Sequence, residues 1–166
     1  MTNFALPGFD LAAFVTATLD EDLGVGLPGG GHDVTSESVI PAEARFTGVM
    51  DSRDAIIVAG LPIAAAFFRH LDSGAQIELL VADGDRVAPR TAMMLMQIKR
   101  PSLMTAESSS VNTVQHLSGI ATLTRQYVDA MDNGGAVLLD TRKTIPGLRH
   151  LEKYATRMGG AKNHRM

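Results

Sequence analysis

The sequence contains no cysteine, which excludes disulfide support and thiol catalysis. Long hydrophobic runs are also absent. The longest apolar tract, residues 55–68, is interrupted by Gly60-Leu61-Pro62 and is shorter than the roughly 20 residues that a membrane-spanning helix needs. The first residues lack a basic region leading into an apolar stretch, so we expect no signal peptide and no membrane partner. A cytoplasmic location is therefore expected.

The composition that is present is typical of a globular protein, with 45% apolar residues, 20% charged residues and a net charge of −3. The charge is unevenly distributed. From residue 140 onward seven Lys and Arg residues outnumber two Asp and Glu residues, whereas the rest of the chain is acidic. Nucleic acid is usually bound by a basic domain, so it is not an expected partner. A local cationic segment suits a small polyanionic ligand better.

The cationic segment has the pattern of a strand followed by a helix. Residues 136–139 (AVLL) form a short apolar run typical of a buried strand, and residues 148–158 have helical periodicity. Arg142-Lys143 follows the strand and His164-Arg165 follows the helix. Parallel α/β folds place their ligands at the carboxyl ends of the strands, so functional polar groups are expected in this βα unit. Arg149, Lys153 and Arg157 recur at helical spacing and are interpreted as a solvated face.

The preceding residues predict a small layer of strands and helices followed by one long helix. The helices are predicted at 10–23, 61–71 and 102–132, the last with a break or kink at Ser118-Gly119. The strands are predicted at 45–50 and 55–59, joined as a hairpin, and at 77–81 and 92–98 around the 83–85 turn. His70 has no Cys, Asp or Glu at metal-ligand spacing, so no metal site is assigned.

Two motifs of the cationic segment are highly specific: residues 139–155 (LDTRKTIPGLRHLEKYA) and residues 162–165 (KNHR) after Gly159-Gly160. They resemble the quinolinate phosphoribosyltransferase family, the carboxylating nicotinate-nucleotide pyrophosphorylases of NAD biosynthesis. A molybdenum-transport-associated branch shares the Thr-Arg-Lys-Thr-x-Pro-Gly part, but Asp140 and Asn163-His164-Arg165 favour the quinolinate branch. The resemblance continues in order along the chain, in Glu21-Asp22-Leu23-Gly24, Asp33-Val34-Thr35-Ser36, Gly60-Leu61-Pro62, Asp83-Gly84-Asp85-x-Val87, Thr105-Ala106-Glu107 and Leu117-Ser118-Gly119-Ile120-Ala121-Thr122.

The resemblance implies an α/β fold class. An α+β N-terminal sandwich domain (residues 1–101) would be followed by a helical linker (102–135) and by the first βα unit of a truncated TIM-like α/β barrel (136–166). A barrel cannot close with one strand, and that strand would have two unpaired edges. We therefore expect no independent catalysis from this chain, as the N-terminal portion of such an enzyme.

The activity that the resemblance implies is transfer of a phosphoribosyl group from 5-phosphoribosyl-1-pyrophosphate (PRPP) to quinolinate, with decarboxylation to nicotinate mononucleotide. It requires charge neutralisation and alignment, so no catalytic nucleophile or base is assigned. Carried over by motif, the substrate-binding residues are Thr141, Arg142, Lys143, His164 and Arg165. Mg²⁺ is expected with PRPP, with its ligands beyond this chain, and a homodimer with shared active sites is expected as the assembly.

The chain departs from the family pattern at two positions. Where the family usually has a glycine that tolerates positive φ, this chain has Arg90; if that φ is positive here, the substitution costs on the order of 1 kcal/mol. The family motif Thr-Ala-Glu-Arg supplies an arginine to the neighbouring subunit, and here Ser108 replaces it. Serine is short and uncharged and does not substitute for a bidentate arginine. These departures favour the alternative of a catalytically silent fragment or paralogue that dimerises or binds a dicarboxylate.

Overall fold

The protein, represented by a computed structural model, is described for residues 4–131 and 135–165. The helices are α1 (Leu11–Asp22), α2 (Val34–Val39), α3 (Leu61–Leu71), α4 (Arg100–Ala130) and α5 (Arg149–Met158). The strands are β1 (Arg45–Asp51), β2 (Ile56–Ile57), β3 (Gln76–Leu79), β4 (Arg86–Val87) and β5 (Ala92–Lys99). This mixture of helix and sheet confirms the predicted α/β class, while the boundaries of the three predicted domains stay a prediction. None of the helices in the described ranges is long and apolar enough to span a bilayer.

The strands pair in two antiparallel sheets, one with the order β1-β5-β3 and one formed by β2 and β4. The two strands predicted around the 83–85 turn are present as β3 and β5, which pair with each other, but the predicted hairpin between residues 45–50 and 55–59 is wrong. β1 pairs along its whole length with β5, and β2 pairs with β4, a two-residue strand that the sequence pattern did not predict. The physical reason is that β5 buries Met93, Met94, Met96 and Ile98 and so forms the centre of the larger sheet. A local turn signal carries no information about that partner.

Helix α3 is the centre of the hydrophobic core. Pro62 in its first turn and the carboxylate of Asp83, which accepts hydrogen bonds from the backbone N–H groups of Gly60 and Leu61, fix where it begins. Gly60 has a φ of 100°, and a Cβ there would lie 3.0 Å from the Leu117 side chain. Six residues of α3 are buried: Leu61, Ile63, Ala64, Ala65, Phe67 and Phe68.

Helix α4 runs along α3 and leads from β5 of the larger sheet toward the cationic segment. It is helical throughout Arg100–Ala130, so the predicted break at Ser118-Gly119 is absent. The Ser118 hydroxyl donates to the backbone oxygen of Ala59 and accepts from its N–H, which ties α4 to the residues before α3. Near the other end of α4, a Cβ at Gly159 would lie 2.5 Å from the Cβ of Thr124. The glycine pair that ends α5 therefore also permits the close approach of α5 to α4.

Residues 135–148 differ from the predicted buried strand. The only bridge in this segment, within the described residues, pairs Leu139 in parallel with Lys162. Val137 and Leu139 are 53% and 49% exposed. A parallel strand is normally covered on both faces and paired on both edges, and residues 136–139 have a single-residue partner on one edge. The strand prediction is therefore wrong for the described residues, although Leu139 does mark where the pairing occurs.

Arg90 is the only residue other than glycine with a positive φ among the described residues, at 66°. The sequence left open whether φ is positive at this position, and the structure shows that it is. The turn is held by a hydrogen bond from the Arg90 N–H to the Ser52 carbonyl, at 2.7 Å. The Arg90 side chain adds only a 3.9 Å contact with Asp51 at an exposed site, and such a contact contributes little to stability.

We expect Arg90→Gly to raise the free energy of unfolding by about 1 kcal/mol, because glycine adopts a left-handed backbone without the Cβ penalty. Urea unfolding of the two proteins measures the difference. Arg90→Ala is the matched control, since it removes the side chain and keeps the strained backbone. An alanine variant as stable as the glycine variant would show that the side chain, rather than φ, is responsible.

Candidate substrate-binding site

The two cationic segments are brought together by the backbone around Asp140. The N–H of Asp140 donates to the Lys162 carbonyl at 3.1 Å, and the N–H of Lys162 donates to the Leu138 carbonyl at 3.0 Å. The Asp140 carboxylate continues this pairing, because Oδ1 accepts from the His164 N–H at 2.9 Å and Oδ2 accepts from Asn163 Nδ2 at 2.5 Å. Residues 162–164 are thus fastened to residues 138–140 at four points.

Lys153 of helix α5 lies beneath this junction. Its Nζ is 2.5 Å from Asp140 Oδ1, and the two side chains are only 1% and 3% exposed. The contact is close but poorly directed, and the ammonium has no well-placed hydrogen-bond acceptor among the described residues. Asn163 Nδ2 adds a second connection by donating to the Lys153 carbonyl at 2.9 Å.

The burial of Lys153 corrects the interpretation of Arg149, Lys153 and Arg157 as one solvated face. Arg149 and Arg157 are exposed, but Lys153 is among the most deeply buried side chains of the protein. Helical spacing places the three on one side of α5, and it gives no sign that a buried carboxylate lies opposite the middle one. A lysine is buried when a charged partner is available, and here that partner is Asp140.

The pKa of Asp140 results from opposing influences. Burial acts to raise the pKa of this carboxyl group. The neighbouring Lys153 ammonium and the hydrogen bonds from the His164 N–H and from Asn163 outweigh burial and hold the pKa below its usual range. Asp140 therefore stays ionised at neutral pH, which is the state that orients its donors.

Helix α5 makes two further polar contacts next to Lys153. The Glu152 carboxylate accepts from the Ile145 N–H at 3.2 Å through Oε2, and its Oε1 lies 3.1 Å from Nε2 of His116 on α4. The Tyr154 hydroxyl donates to Asp83 at 2.7 Å. Burial is the main reason why the pKa of Asp83 is raised, although its hydrogen bonds act in the opposite direction. These contacts fix α5 against α4 and against the N-terminal part of α3.

All five predicted site residues, Thr141, Arg142, Lys143, His164 and Arg165, are exposed. The Thr141 hydroxyl accepts from the Lys143 N–H at 3.0 Å and so shapes the first cationic turn. The backbone pairing holds Asp140 against residues 162–164, and residues 141–143 follow directly after Asp140. That these side chains bind substrate stays a prediction. The sequence interpretation missed Lys153 and the carboxylate of Asp140 as the groups that join the segments, and only the position of Asp140 directly before the cationic turn could have indicated them.

A separate cleft of about 540 Å³ lies between α1, α4 and α5. It contains none of the five predicted residues, and Glu21 and Asp22 contribute to its lining. Carboxylates at its edge disfavour an anionic ligand. The cationic surface beside Asp140 is therefore the better candidate site for an anion.

The lowered pKa of Asp140 predicts how stability depends on pH. Because the folded state favours the ionised form, the contribution of Asp140 is present above the unfolded pKa of about 4 and is lost as pH falls through the folded pKa. We expect the unfolding free energy of the wild type to fall more steeply between about pH 5 and pH 2 than that of Asp140→Asn. Asp83, whose raised pKa acts with the opposite sign, is present in both proteins. The prediction is contradicted if urea unfolding gives wild type and Asp140→Asn unfolding free energies that change in parallel with pH.

Two family models together match most of the chain. Residues 33–118 match the family model "Quinolinate phosphoribosyl transferase, N-terminal domain", and residues 120–166 match the corresponding C-terminal domain. The chain is 48% identical over 110 residues, 66% of its length, to a probable nicotinate-nucleotide pyrophosphorylase [carboxylating] of Synechocystis, and this covers 37% of that protein. It is 38% identical over 154 residues, 92% of its length, to the Mycobacterium leprae protein named nicotinate-nucleotide pyrophosphorylase [carboxylating], of which it covers 52%.

Solved structures give the same result. The chain superposes on NadC from Streptococcus pyogenes with a TM-score of 0.88 at 31% identity, covering 98% of this chain and 56% of that one. For the nicotinate-nucleotide pyrophosphorylase from Francisella tularensis the TM-score is 0.84 at 34% identity, covering 93% and 52%. The chain thus spans about half the length of these structures and of the Mycobacterium leprae protein. With its N-terminal-domain model matching more than half of the sequence and its C-terminal-domain model matching the remainder up to residue 166, the chain belongs to the quinolinate phosphoribosyl transferase family.

Proposed function

We propose that the protein acts in de novo NAD biosynthesis as a quinolinate phosphoribosyltransferase. The quinolinate ring nitrogen forms a bond to the ribose anomeric carbon of PRPP as the bond to pyrophosphate breaks. The carboxylate next to the nitrogen leaves as CO₂, and a proton replaces it, giving nicotinate mononucleotide. The observation that carries this proposal is the backbone pairing at Asp140, which holds the residue before the turn at 141–143 against the His164 N–H.

The chemistry of that surface suits a pyridine dicarboxylate. Arg142 and Arg165 can each form paired hydrogen bonds with a carboxylate, and Lys143 adds a compact point charge. The protein needs to supply alignment and charge stabilisation, so a nucleophile or thiol is not required. Cationic groups held around the ring also stabilise the electron pair that decarboxylation releases on the ring carbon.

Magnesium, a homodimer and a cytoplasmic location belong to the same proposal. Among residues 4–131 and 135–165 no three His, Asp or Glu side chains gather into a metal site, so we assign Mg²⁺ to PRPP and derive no step through it. The homodimer is supported by a groove of about 1,090 Å³ between β1 and α4. Its lining includes exposed apolar side chains, among them Phe46, Val49, Met104 and Val111.

A catalytically silent relative that binds a dicarboxylate is the second candidate. The observation that favours it is Ser108, an exposed residue of α4 at the position where the family motif has arginine. Its neighbours Ser109 and Ser110 are buried. The described chain therefore offers a hydroxyl group, and no cation, at the predicted subunit-crossing position.

We expect Arg142→Ala to weaken quinolinate binding by about 1.5–3 kcal/mol, because a charge-assisted hydrogen bond is lost. Calorimetric titration of quinolinate into the natural gene product measures this. Arg157→Ala, an exposed cation on α5, is the matched control and should leave affinity unchanged. Equal affinity in wild type and Arg142→Ala would remove Arg142 from the site.

Ser108→Arg separates the two candidates. Quinolinate-dependent pyrophosphate release from PRPP and Mg²⁺ is measured for the natural gene product with each residue at position 108. Activity with serine supports the transferase. Activity only with arginine supports the silent relative, and it would show that the rest of the catalytic site is intact. Release by neither protein, with quinolinate binding retained, would contradict the transferase and leave binding as the function.

A further inference from the structure

Asp140 and Lys153 occupy an unusual position for a charged pair beside a polar site. Both are almost fully buried, at 3% and 1% side-chain exposure, so neither is placed to contact a ligand. The five predicted site residues around them are exposed. Nothing in the proposed substrate contacts requires a buried lysine on α5. The pair therefore needs a separate explanation.

Stability alone is a poor explanation. Removing two charges from water is costly, and replacing a buried ion pair with apolar residues of similar volume is often neutral or stabilising. A leucine and a methionine would fill the same space without that cost. What they would lack is an acceptor for the His164 N–H and for Asn163, both of which bind the Asp140 carboxylate. The Asp140 carboxylate thus accepts two hydrogen bonds from the second cationic segment that apolar packing would not provide.

These contacts join the two backbone segments that carry Arg142 and Arg165. Arg142 lies two residues after Asp140, and Arg165 follows directly after His164, whose backbone N–H is bound to the Asp140 carboxylate. Lys153 compensates the charge of that carboxylate from below, and its carbonyl binds Asn163. A shift of the carboxylate would move the backbone of one arginine relative to that of the other.

We infer that Asp140 and Lys153 are positioning residues that set the spacing between Arg142 and Arg165, and thereby the preference for two adjacent carboxylates over one. This inference rests on the proposed function. It assigns the discrimination between a pyridine dicarboxylate and a pyridine monocarboxylate to two side chains that touch neither ligand.

The test compares the affinities for quinolinate and for nicotinate in the natural gene product. In the double variant Asp140→Leu/Lys153→Met, which buries no charge, we expect a folded protein whose quinolinate-to-nicotinate affinity ratio falls about tenfold or more. Asp140→Asn/Lys153→Met should lose less, because an amide oxygen still accepts from the His164 N–H. Arg157→Met, an exposed cation on the same helix, should keep the wild-type ratio.

The affinity ratio isolates positioning from stability. A partly unfolded variant loses apparent affinity for both ligands by the same factor, so incomplete folding cancels in the ratio. A wild-type ratio in the Asp140→Leu/Lys153→Met variant would overturn the inference. If the wild-type protein itself shows no preference for quinolinate, the proposed function fails instead, which is a different result from the same titrations.

Discussion

A buried ion pair between Asp140 and Lys153 is the constraint on which the arrangement of the cationic surface depends. A lone charge at either position would be strongly destabilising, so each residue requires the other. The carboxylate also binds the Asn163 side chain and the His164 N–H, and it stays ionised because these donors and Lys153 outweigh the effect of burial. One carboxylate therefore joins helix α5, the residues before the first cationic turn and the second cationic segment.

Helix α5 extends this constraint to the rest of the molecule through three consecutive side chains. Successive residues of a helix point in directions about 100° apart, so Glu152, Lys153 and Tyr154 face three different neighbours. Glu152 contacts His116 and the turn at Ile145, Lys153 meets Asp140, and Tyr154 binds Asp83, which also caps α3. The position of the candidate site relative to the hydrophobic core is thus set by one short helix. Gly159 completes the arrangement by allowing that helix to approach α4 closely.

Local features were predictable from the sequence because their causes are local. Apolar periodicity predicted α1, α3, α4 and α5, and the departure from glycine at Arg90 indicated where a positive φ would cost stability. Strand pairing was only partly predictable, since the paired residues of β1 and β5 are 41 to 54 positions apart in the sequence, and the turn after β1 says nothing about that partner. The exposed Val137 shows the same limit, because an apolar run indicates burial without identifying what covers it.

The residues of the candidate site were likewise only partly predictable from the sequence. Motifs indicated the five exposed residues and the proximity of the two cationic turns. They did not indicate Lys153, because helical spacing alone assigned it to solvent. Whether a lysine is buried depends on a partner from another segment, and the pairing of Leu139 with Lys162 that places Asp140 there is tertiary. The sequence therefore predicted the exposed cationic residues, but it did not predict the buried Asp140–Lys153 pair that connects their segments.

The most direct test of this account is a crystal structure of the natural gene product with quinolinate bound. We expect Arg142 and Arg165 each to contact a different carboxylate of the ligand, while Asp140 remains in contact with both Lys153 and the His164 N–H. Quinolinate bound in the cleft beside Glu21 and Asp22, or an Asp140 carboxylate turned to solvent with Lys153 elsewhere, would contradict it.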